Sequence, residues 1–216
     1  IATNADGAMC VKAADMDGDG DLDIVSASMK DDTIAWYEND GGANPSFAAA
    51  NIVTDADGAN DVFLADLDAD GDMDILSASH TDDTIAWYEN DGGANPSWTK
   101  RVISTSADEA YHVFAADIDG DGDLDVASAS NADDTIAWYK NDGSNDPSFS
   151  AIDIATTADG ANSLFVADMD GDGDLDIISA SYNDDTIAWY ENDGSTQISI
   201  SDLTTSNEIA GNAVLT

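Results

Sequence analysis

Apolar and polar residues are grouped into short segments separated by Gly, Asn and Asp. Between residues 52 and 105, β-branched, aromatic and small apolar residues form four such segments, at 62–65, 74–79, 84–89 and 97–105. Segments of this composition, bounded by turn-forming residues, predict β-strands. No apolar period of 3.6 residues extends over the length of a helix. The pattern therefore predicts an all-β fold.

The third segment indicates how its sheet is packed. Ile85 and Trp87 point to one side of this predicted strand, whereas Ala86 and Tyr88 point to the other. Both sides are largely apolar, so we expect the sheet to be buried on both faces.

The four-segment pattern occurs four times with a period of 51 residues. Ser-Ala-Ser and Asp-Asp-Thr-Ile-Ala-Trp-Tyr recur in register in every unit, without insertion or deletion. A strict period indicates that neighbouring units pack on one another in one repeated geometry. We predict a single domain at 1–204, with units at about 1–51, 52–102, 103–153 and 154–204, and a tail at 205–216.

A four-stranded sheet covered on each face by a copy of itself describes a propeller blade. The sequence therefore predicts a β-propeller of four 51-residue, four-stranded blades. This propeller is either a closed four-bladed ring or part of a larger ring, for example one with seven blades. A β-helix is less favoured, because its coils are shorter and lack these hairpin turns.

The tail leaves several arrangements open. Residues 197–205 are rich in Ile, Ser and Thr and would complete the fourth unit. Gly211 falls in register with Gly7 and Gly58, so 213–215 would begin a fifth first strand. That strand would pair with the first blade, start another blade or complement a neighbouring subunit.

The charge narrows the range of partners. The 216 residues include 46 acidic and 5 basic side chains, a formal net charge of −41. Nucleic acid and anionic membranes attract positive surfaces, so neither is an expected partner. No apolar run is long enough to span a bilayer, and we expect no membrane insertion. A chain that starts at Ile1 without a leader is expected to be processed or a fragment.

Each unit carries a nine-residue loop with Asp at positions 1, 3, 5, 7 and 9. Carboxylates at positions 1, 3, 5 and 9, with a backbone carbonyl at 7, would form an all-oxygen cage for one metal ion. Gly at position 6 permits the sharp turn. The candidate metal residues are Asp15, Asp17, Asp19, Asp21, Asp23, Asp66, Asp68, Asp70, Asp72, Asp74, Asp117, Asp119, Asp121, Asp123, Asp125, Asp168, Asp170, Asp172, Asp174 and Asp176.

Electrostatics favours a metal over a merely solvated turn. Two carboxylates about 4 Å apart repel each other by ~4 kcal/mol at an effective dielectric constant of ~20. Four converging carboxylates in each unit would oppose folding without a cation. A high count of oxygen ligands favours Ca²⁺ over Mg²⁺, zinc and copper, so we expect about four Ca²⁺, one per repeat. An EF-hand is excluded, because position 12 is Ser rather than Glu.

The acidic loop between two strands, followed by Ile-Ala-Trp-Tyr-Glu-Asn-Asp-Gly at 85–92, resembles the FG-GAP/VCBS repeat. That family includes integrin α-subunit propellers, a fungal propeller lectin and many secreted bacterial surface proteins. The resemblance covers Ile1 to about Ile200. It implies that the loop joins the first and second strands of a blade and that Asp at positions 1, 3, 5 and 9 binds Ca²⁺.

Some features depart from the family pattern. The Phe-Gly and Gly-Ala-Pro elements of the family name are absent. Family propellers commonly have seven blades, whereas this chain supplies four. Lys12 stands where the other units have Phe63, Phe114 and Phe165, so the first unit is atypical.

Two short pairs of residues vary between otherwise uniform units. One pair follows the turn into the first strand and the other follows the second strand, so both are expected at the end opposite the metal loops. Variable loop residues on a rigid scaffold are typical of a binding surface, although neutral drift explains them as well. If a sugar site exists, its candidates are Tyr111, His112, His80 and Tyr182. The repeated Trp36, Trp87, Trp138 and Trp189 fit a core better than a sugar platform.

Three functions remain open. The first is a non-catalytic adhesion or ligand-binding module, extracellular or at the cell surface, that binds Ca²⁺ and a glycan or protein surface. The second is a structural subunit that self-assembles by strand addition into a fibre or surface layer. The third, a propeller lyase or dehydratase, ranks last because no enzymatic constellation is visible.

Overall fold

The computed structural model describes residues 1–194, and this part of the chain consists of antiparallel β-sheets joined by turns. Three sheets have four strands and the fourth has three. The strands are β1 (Ala8–Ala14), β2 (Asp23–Ser28), β3 (Thr33–Asn39), β4 (Phe47–Val53), β5 (Ala59–Ala65), β6 (Asp74–Ser79), β7 (Thr84–Asn90), β8 (Trp98–Ser104), β9 (Ala110–Ala116), β10 (Asp125–Ser130), β11 (Thr135–Asn141), β12 (Phe149–Ala155), β13 (Ala161–Ala167), β14 (Asp176–Ser181) and β15 (Thr186–Tyr190).

Each unit forms its own sheet, in which consecutive strands pair in chain order. The second predicted strand of the second unit matches β6 at both ends. The first strand is longer than predicted, because β5 begins at Ala59 and continues through a register irregularity between Ala59 and Asp61. Asn60 and Asp61, at this irregularity, are polar and interrupt the apolar pattern. The sequence therefore predicted the strand only at 62–65.

The core lies between the sheets. Trp87 and Ile85 of the second unit pack with Val113 and Val126 of the third. Tyr88, on the opposite face of β7, packs with residues of the first unit. The sheet is thus buried on both faces, as the apolar pattern of its third strand predicted. The repeated Trp residues of the first three units are buried core residues.

An aromatic row connects the first strands of neighbouring units. The ring centroids of Phe63 and Phe114 are 4.6 Å apart, and those of Phe114 and Phe165 are 5.2 Å apart. Lys12 continues the row in the first unit, with its ammonium 5.9 Å from the Phe63 centroid. The departure at position 12 therefore exchanges one aromatic contact for a cation–π contact.

The four sheets form an open arc. Extensive contacts join the first strands of consecutive units, but within residues 1–194 no contact of similar extent joins the first sheet to the fourth. Closure into a propeller ring therefore stays a prediction. The predicted completion of the fourth sheet at 197–205 and the tail at 205–216 lie outside the described residues.

The described part of the chain holds no helix with the length and apolar character needed to cross a membrane.

Candidate metal centre

The acidic loops connect the first and second strands of every unit. Position 1 directly follows the first strand and position 9 opens the second, so the sheet holds both ends of the loop. Gly20 and Gly71, at position 6, have φ values of 96° and 101°. This left-handed region is open to glycine without strain, which lets the chain reverse within nine residues.

Hydrogen bonds from the backbone orient the carboxylates of the first loop. Asp15 Oδ1 accepts a bond from the Gly18 amide at 2.9 Å, and Asp15 Oδ2 accepts one from the Gly20 amide at 2.9 Å. Asp19 Oδ1 accepts from the Asp21 amide at 2.9 Å. Asp side chains commonly stabilise turns in this way. The alternation of Asp and Gly thus folds the loop around its own carboxylates.

Three carboxylates converge in each loop. One oxygen from each lies within 4.8 Å of the others in four groups: Asp15, Asp17 and Asp19; Asp66, Asp68 and Asp70; Asp117, Asp119 and Asp125; Asp168, Asp170 and Asp176. Oxygens that share one Ca²⁺ lie about 2.3–2.6 Å from the ion, so they stand at most about 5 Å apart. The carboxylate spacing therefore fits a single hard cation in each repeat.

One buried oxygen supports this fit. Asp117 Oδ1 is buried and has no hydrogen-bond partner within residues 1–194. A buried carboxylate oxygen without a partner is costly, and a bound cation would satisfy it. The four acidic clusters could each hold a metal ion.

The Asp at position 9 also holds the loop against the sheet. Asp74 is fully buried; its Oδ2 accepts from the Leu67 amide at 3.0 Å and its Oδ1 from the Asn90 amide at 2.9 Å. Burial raises the pKa of Asp74 to about 7 and that of Asp125 to about 6. The charged form of these groups is therefore unfavourable until a cation lies nearby.

The Asp at position 7 is not among the three carboxylates that converge in each loop. In the second unit Asp72 lies against Gly92, where any Cβ would overlap its carboxylate. Gly92 also has a φ of 67°. The backbone carbonyl of position 7 stays the predicted ligand from this residue.

The third loop differs from the others because a lysine side chain contacts its carboxylates. Lys140 replaces the Glu found at the equivalent positions 38, 89 and 191. Its ammonium contacts Asp119 Oδ2 and lies 3.1 Å from Asp121 Oδ2. A metal ion in this loop would compete with the ammonium for two carboxylates.

The substitution Lys140→Glu is expected to strengthen metal binding by the third loop. Removing the ammonium frees Asp119 and Asp121 to bind the metal. We therefore expect the third loop, which should be the weakest of the four sites in the wild type, to bind Ca²⁺ at least about tenfold more tightly, a change of about 1.4 kcal/mol. Calorimetric titration of the metal-free protein with Ca²⁺ measures this. Lys100→Glu is the matched control, because Lys100 pairs with Asp55 instead of a loop. Equal titrations for the wild type and Lys140→Glu would contradict the expectation.

An Asn in every unit supports the loops and was missed by the sequence analysis. Asn90 Nδ2 donates to the Met73 carbonyl of its own loop at 3.0 Å and to the Met16 carbonyl of the preceding loop at 2.9 Å. Asn141 and Asn192 repeat both bonds one and two units later. The strict repetition of Asn-Asp-Gly after the third strand was the available signal, but only the structure shows that its Asn links neighbouring loops.

The two variable pairs lie together at the other end of the sheets. The His80 amide donates to the Gly58 carbonyl, and the Thr81 amide donates to the Asp57 carbonyl, both at 3.0 Å. The turn after the second strand is thus bonded to the turn before the first strand. This arrangement agrees with the expected position opposite the metal loops.

The four candidate ligand residues have different surroundings. The rings of His80 and Tyr111 meet edge to face with centroids 5.2 Å apart, and His80 Nε2 lies 3.6 Å from Glu109 Oε2. His112 is instead mostly buried, with its Nε2 3.6 Å from Asp61 Oδ2, and burial lowers its pKa. Tyr182 is exposed in the fourth unit, at the position equivalent to His80.

The repeated loop and its flanking strands match the family model of the FG-GAP-like repeat at residues 15–77, 66–128, 117–179 and 168–215. The chain belongs to the FG-GAP-like repeat family. Each of the first three matches starts at an acidic loop and ends in the second strand of the next unit, and the fourth starts at the fourth acidic loop. The resemblance seen in the sequence is therefore confirmed. No curated protein sequence is similar enough to count as a relative.

Solved structures share this fold. One is an Agrocybe aegerita lectin that recognises non-reducing terminal N-acetylglucosamine, with a TM-score of 0.58 and 22% identity; the match covers 86% of this chain and 50% of that one. Another is the V. cholerae biofilm matrix protein Bap1, with a TM-score of 0.54 and 24% identity, covering 86% of this chain and 27% of that one. This chain thus spans half or less of each. Both similarities concern the fold.

Proposed function

We propose that this chain is an extracellular, non-catalytic, calcium-binding repeat protein that binds glycan or protein surfaces at the end opposite its metal loops. The converging carboxylates in each repeat support calcium, because an all-oxygen set of this size and charge suits a hard cation that tolerates irregular geometry. Extracellular calcium is abundant enough to fill even weak sites of this kind. The fold shared with a matrix protein is consistent with this location.

The observation that carries the binding proposal is the cluster of His80, Glu109 and Tyr111. These residues come from two neighbouring units and occupy positions that vary while the scaffold repeats. An aromatic ring offers a face for the apolar side of a sugar, and His and Glu supply hydrogen bonds to hydroxyl groups. His80 Nδ1 is buried and has no hydrogen-bond partner within the described range, so a ligand would reach the part of the His80 side chain that is exposed, which is 20% of it.

Several observations support a role without catalysis. Burial raises the pKa of the Cys10 thiol to about 11, so the reactive thiolate is scarce at neutral pH. His112 and His80 each face a carboxylate, at 3.6 Å. Within residues 1–194 neither ring has a hydrogen bond to a Ser hydroxyl or a Cys thiol, as a nucleophilic relay would need. In this proposal the carboxylates of the loops bind the metal and stabilise the turn, so none of them is needed as a catalytic acid or base.

Substitution of the cluster tests the proposal directly. We expect Tyr111→Ala and His80→Ala each to weaken glycan binding by about fivefold or more, since each removes a stacking or hydrogen-bonding group worth about 1 kcal/mol or more. A glycan array in millimolar Ca²⁺ identifies the ligand, with terminal N-acetylglucosamine as the first probe. Calorimetry with that glycan then measures the loss.

Asn131→Ala is the control for the glycan experiment, because Asn131 occupies the position of His80 in the third unit. This variant should bind as the wild type does, and all three should keep the wild-type melting temperature. A wild-type protein that is folded and calcium-loaded but binds no glycan on the array would reject the glycan-binding part of the proposal.

A further inference from the structure

The turn before the first strand of the third unit has a glutamate where the other units have glycine. Gly7, Gly58 and Gly160 have φ values between 70° and 74°, and Glu109, at the equivalent position, has a φ of 54°. A left-handed backbone strains a residue that has a Cβ but not a glycine. Strain of this kind persists only where the surrounding structure holds it, and it is common at binding sites. Glu109 is therefore a candidate functional residue.

Space for the glutamate comes from a second difference in the same unit. In the other three units, a Cβ added at the glycine would overlap a side-chain atom of the residue that faces it. The facing residues are Lys30, Thr81 and Asn183. The third unit has Ala132 at this position, which has no side-chain atom beyond Cβ to crowd Glu109. The two differences are thus compatible with each other, and together they place one carboxylate at the end opposite the metal loops.

Hydrogen bonds hold the backbone of Glu109 but not its carboxylate. The amide donates to Asp83 Oδ1 at 3.0 Å, and the carbonyl accepts from the Asn131 amide at 3.0 Å. The Glu109 side chain is 41% exposed, and its Oε2 lies 3.6 Å from His80 Nε2, which is beyond hydrogen-bond distance. The carboxylate is therefore fixed in place by its backbone and accessible to a ligand from solvent.

The charges of the chain determine which ligand suits this carboxylate. All five Lys and Arg residues of the chain contact groups outside the cluster of His80, Glu109 and Tyr111. These contacts are Lys12 with Phe63, Lys30 with Asp6, Lys100 with Asp55, Arg101 with Glu89 and Lys140 with Asp119. An acidic sugar would meet a carboxylate with no Lys or Arg beside it and would be repelled. The same charge attracts a protonated amine.

The cluster combines the groups that an amine on a sugar ring requires. The ring of Tyr111 attracts a cation and also covers the apolar face of a sugar. A hydrogen bond from an ammonium to the Glu109 carboxylate is charge-assisted, so it is stronger than a bond from a neutral hydroxyl. Acetylation of the sugar nitrogen removes the positive charge and leaves one neutral N–H donor. The cluster should therefore distinguish the two forms of the sugar.

We infer that Glu109 is a specificity-determining residue that selects sugars with a free, protonated amine, such as 2-amino-2-deoxyglucose, over their N-acetylated and acidic counterparts. The inference rests on the proposed glycan site and names the class of glycan that it prefers. In this role Glu109 binds the ammonium, while Tyr111 covers the sugar ring and His80 bonds to a hydroxyl group. The requirement for a carboxylate at this point explains why the third unit keeps a residue that the turn disfavours.

Calorimetry with two trisaccharides tests the inference in millimolar Ca²⁺ and about 150 mM NaCl, which screens general attraction to the acidic chain. The probes are the β-1,4-linked trimer of glucosamine and its fully N-acetylated form. The wild type should bind the amine form at least about tenfold more tightly. Glu109→Gln and Glu109→Gly should each bind the two forms within about twofold of each other, because the charge is lost. Glu109→Gly restores the residue of the other units, so its melting temperature should be at least that of the wild type.

Asp159→Asn is the matched control, because it removes one exposed charge from the equivalent turn of the fourth unit. It should keep the preference for the amine form, and a loss as large as that of Glu109→Gln overturns the inference. Unchanged preference in Glu109→Gly, or trilysine bound as tightly as the amine trimer, also overturns it. Equal or tighter binding of the N-acetylated trimer overturns it but leaves glycan binding intact. A folded, calcium-loaded wild type that binds neither trisaccharide rejects both the inference and the glycan site.

Discussion

In excess EDTA the chain is expected to lose most of its stability, with a melting temperature lower by on the order of 20 °C or more than in millimolar Ca²⁺. A ligand present at 100 times its Kd adds about 2.7 kcal/mol, so four ions together add about 11 kcal/mol. That sum is comparable to the whole stability of a typical domain. For a chain of this size, 1 kcal/mol shifts the melting temperature by about 2–4 °C.

Thermal unfolding followed by circular dichroism measures this effect. Because the net charge is −41, any salt stabilises the chain to some extent by screening. The control is therefore NaCl, and separately Mg²⁺, at the ionic strength of the Ca²⁺ sample. A melting temperature that is unchanged by EDTA, or that rises equally with NaCl, would show that the loops are ordinary solvated turns.

The second large effect is expected from Asp74→Ala in saturating Ca²⁺. The substitution leaves the buried amides of Leu67 and Asn90 without acceptors, at a cost of about 1–3 kcal/mol each, and it removes a carboxylate from the second loop. We expect a loss of about 2–6 kcal/mol, measured by urea denaturation.

The destabilisation caused by Asp74→Ala should be smaller in EDTA than in Ca²⁺, because the pKa of Asp74 is raised. Burial raises this pKa to about 7, so at neutral pH the native carboxylate without a cation is itself destabilising. Replacing it by Ala removes that penalty. Asp72→Ala is the control within the same loop, because it deletes a side chain that faces Gly92 and keeps the backbone carbonyl. Equal losses for the two variants would contradict the distinct roles of positions 7 and 9.

Much of the fold could be predicted from the sequence because the chain repeats. The strand limits 74–79 matched β6, and the two apolar sides of the third strand indicated a sheet buried on both faces. The register irregularity near Asp61 could not be foreseen, because it depends on which polar groups bond across the pair of strands. Asp61 accepts the Val113 amide of the next unit at 3.1 Å, a contact between residues 52 positions apart.

The candidate metal site was likewise predictable only in part from the sequence. Spacing of Asp and Gly was enough to locate the loops, since residues within nine positions must fold around one another. The role of Asn90, by contrast, depends on the Met16 carbonyl, 74 positions away. The ammonium of Lys140 reaches the third loop from the third strand. The sequence analysis singled out neither position, because the spacing within one unit does not show what either side chain touches.

The sequence by itself determined the repeat, the all-β class and the acidic loops, because these depend on local spacing and on a period that every unit obeys. Only the tertiary structure decided which residues of different units meet. It paired His80 with Tyr111 and placed His112 against Asp61. Such contacts depend on how the sheets stack, and the sequence of a single unit carries no record of its neighbour's orientation.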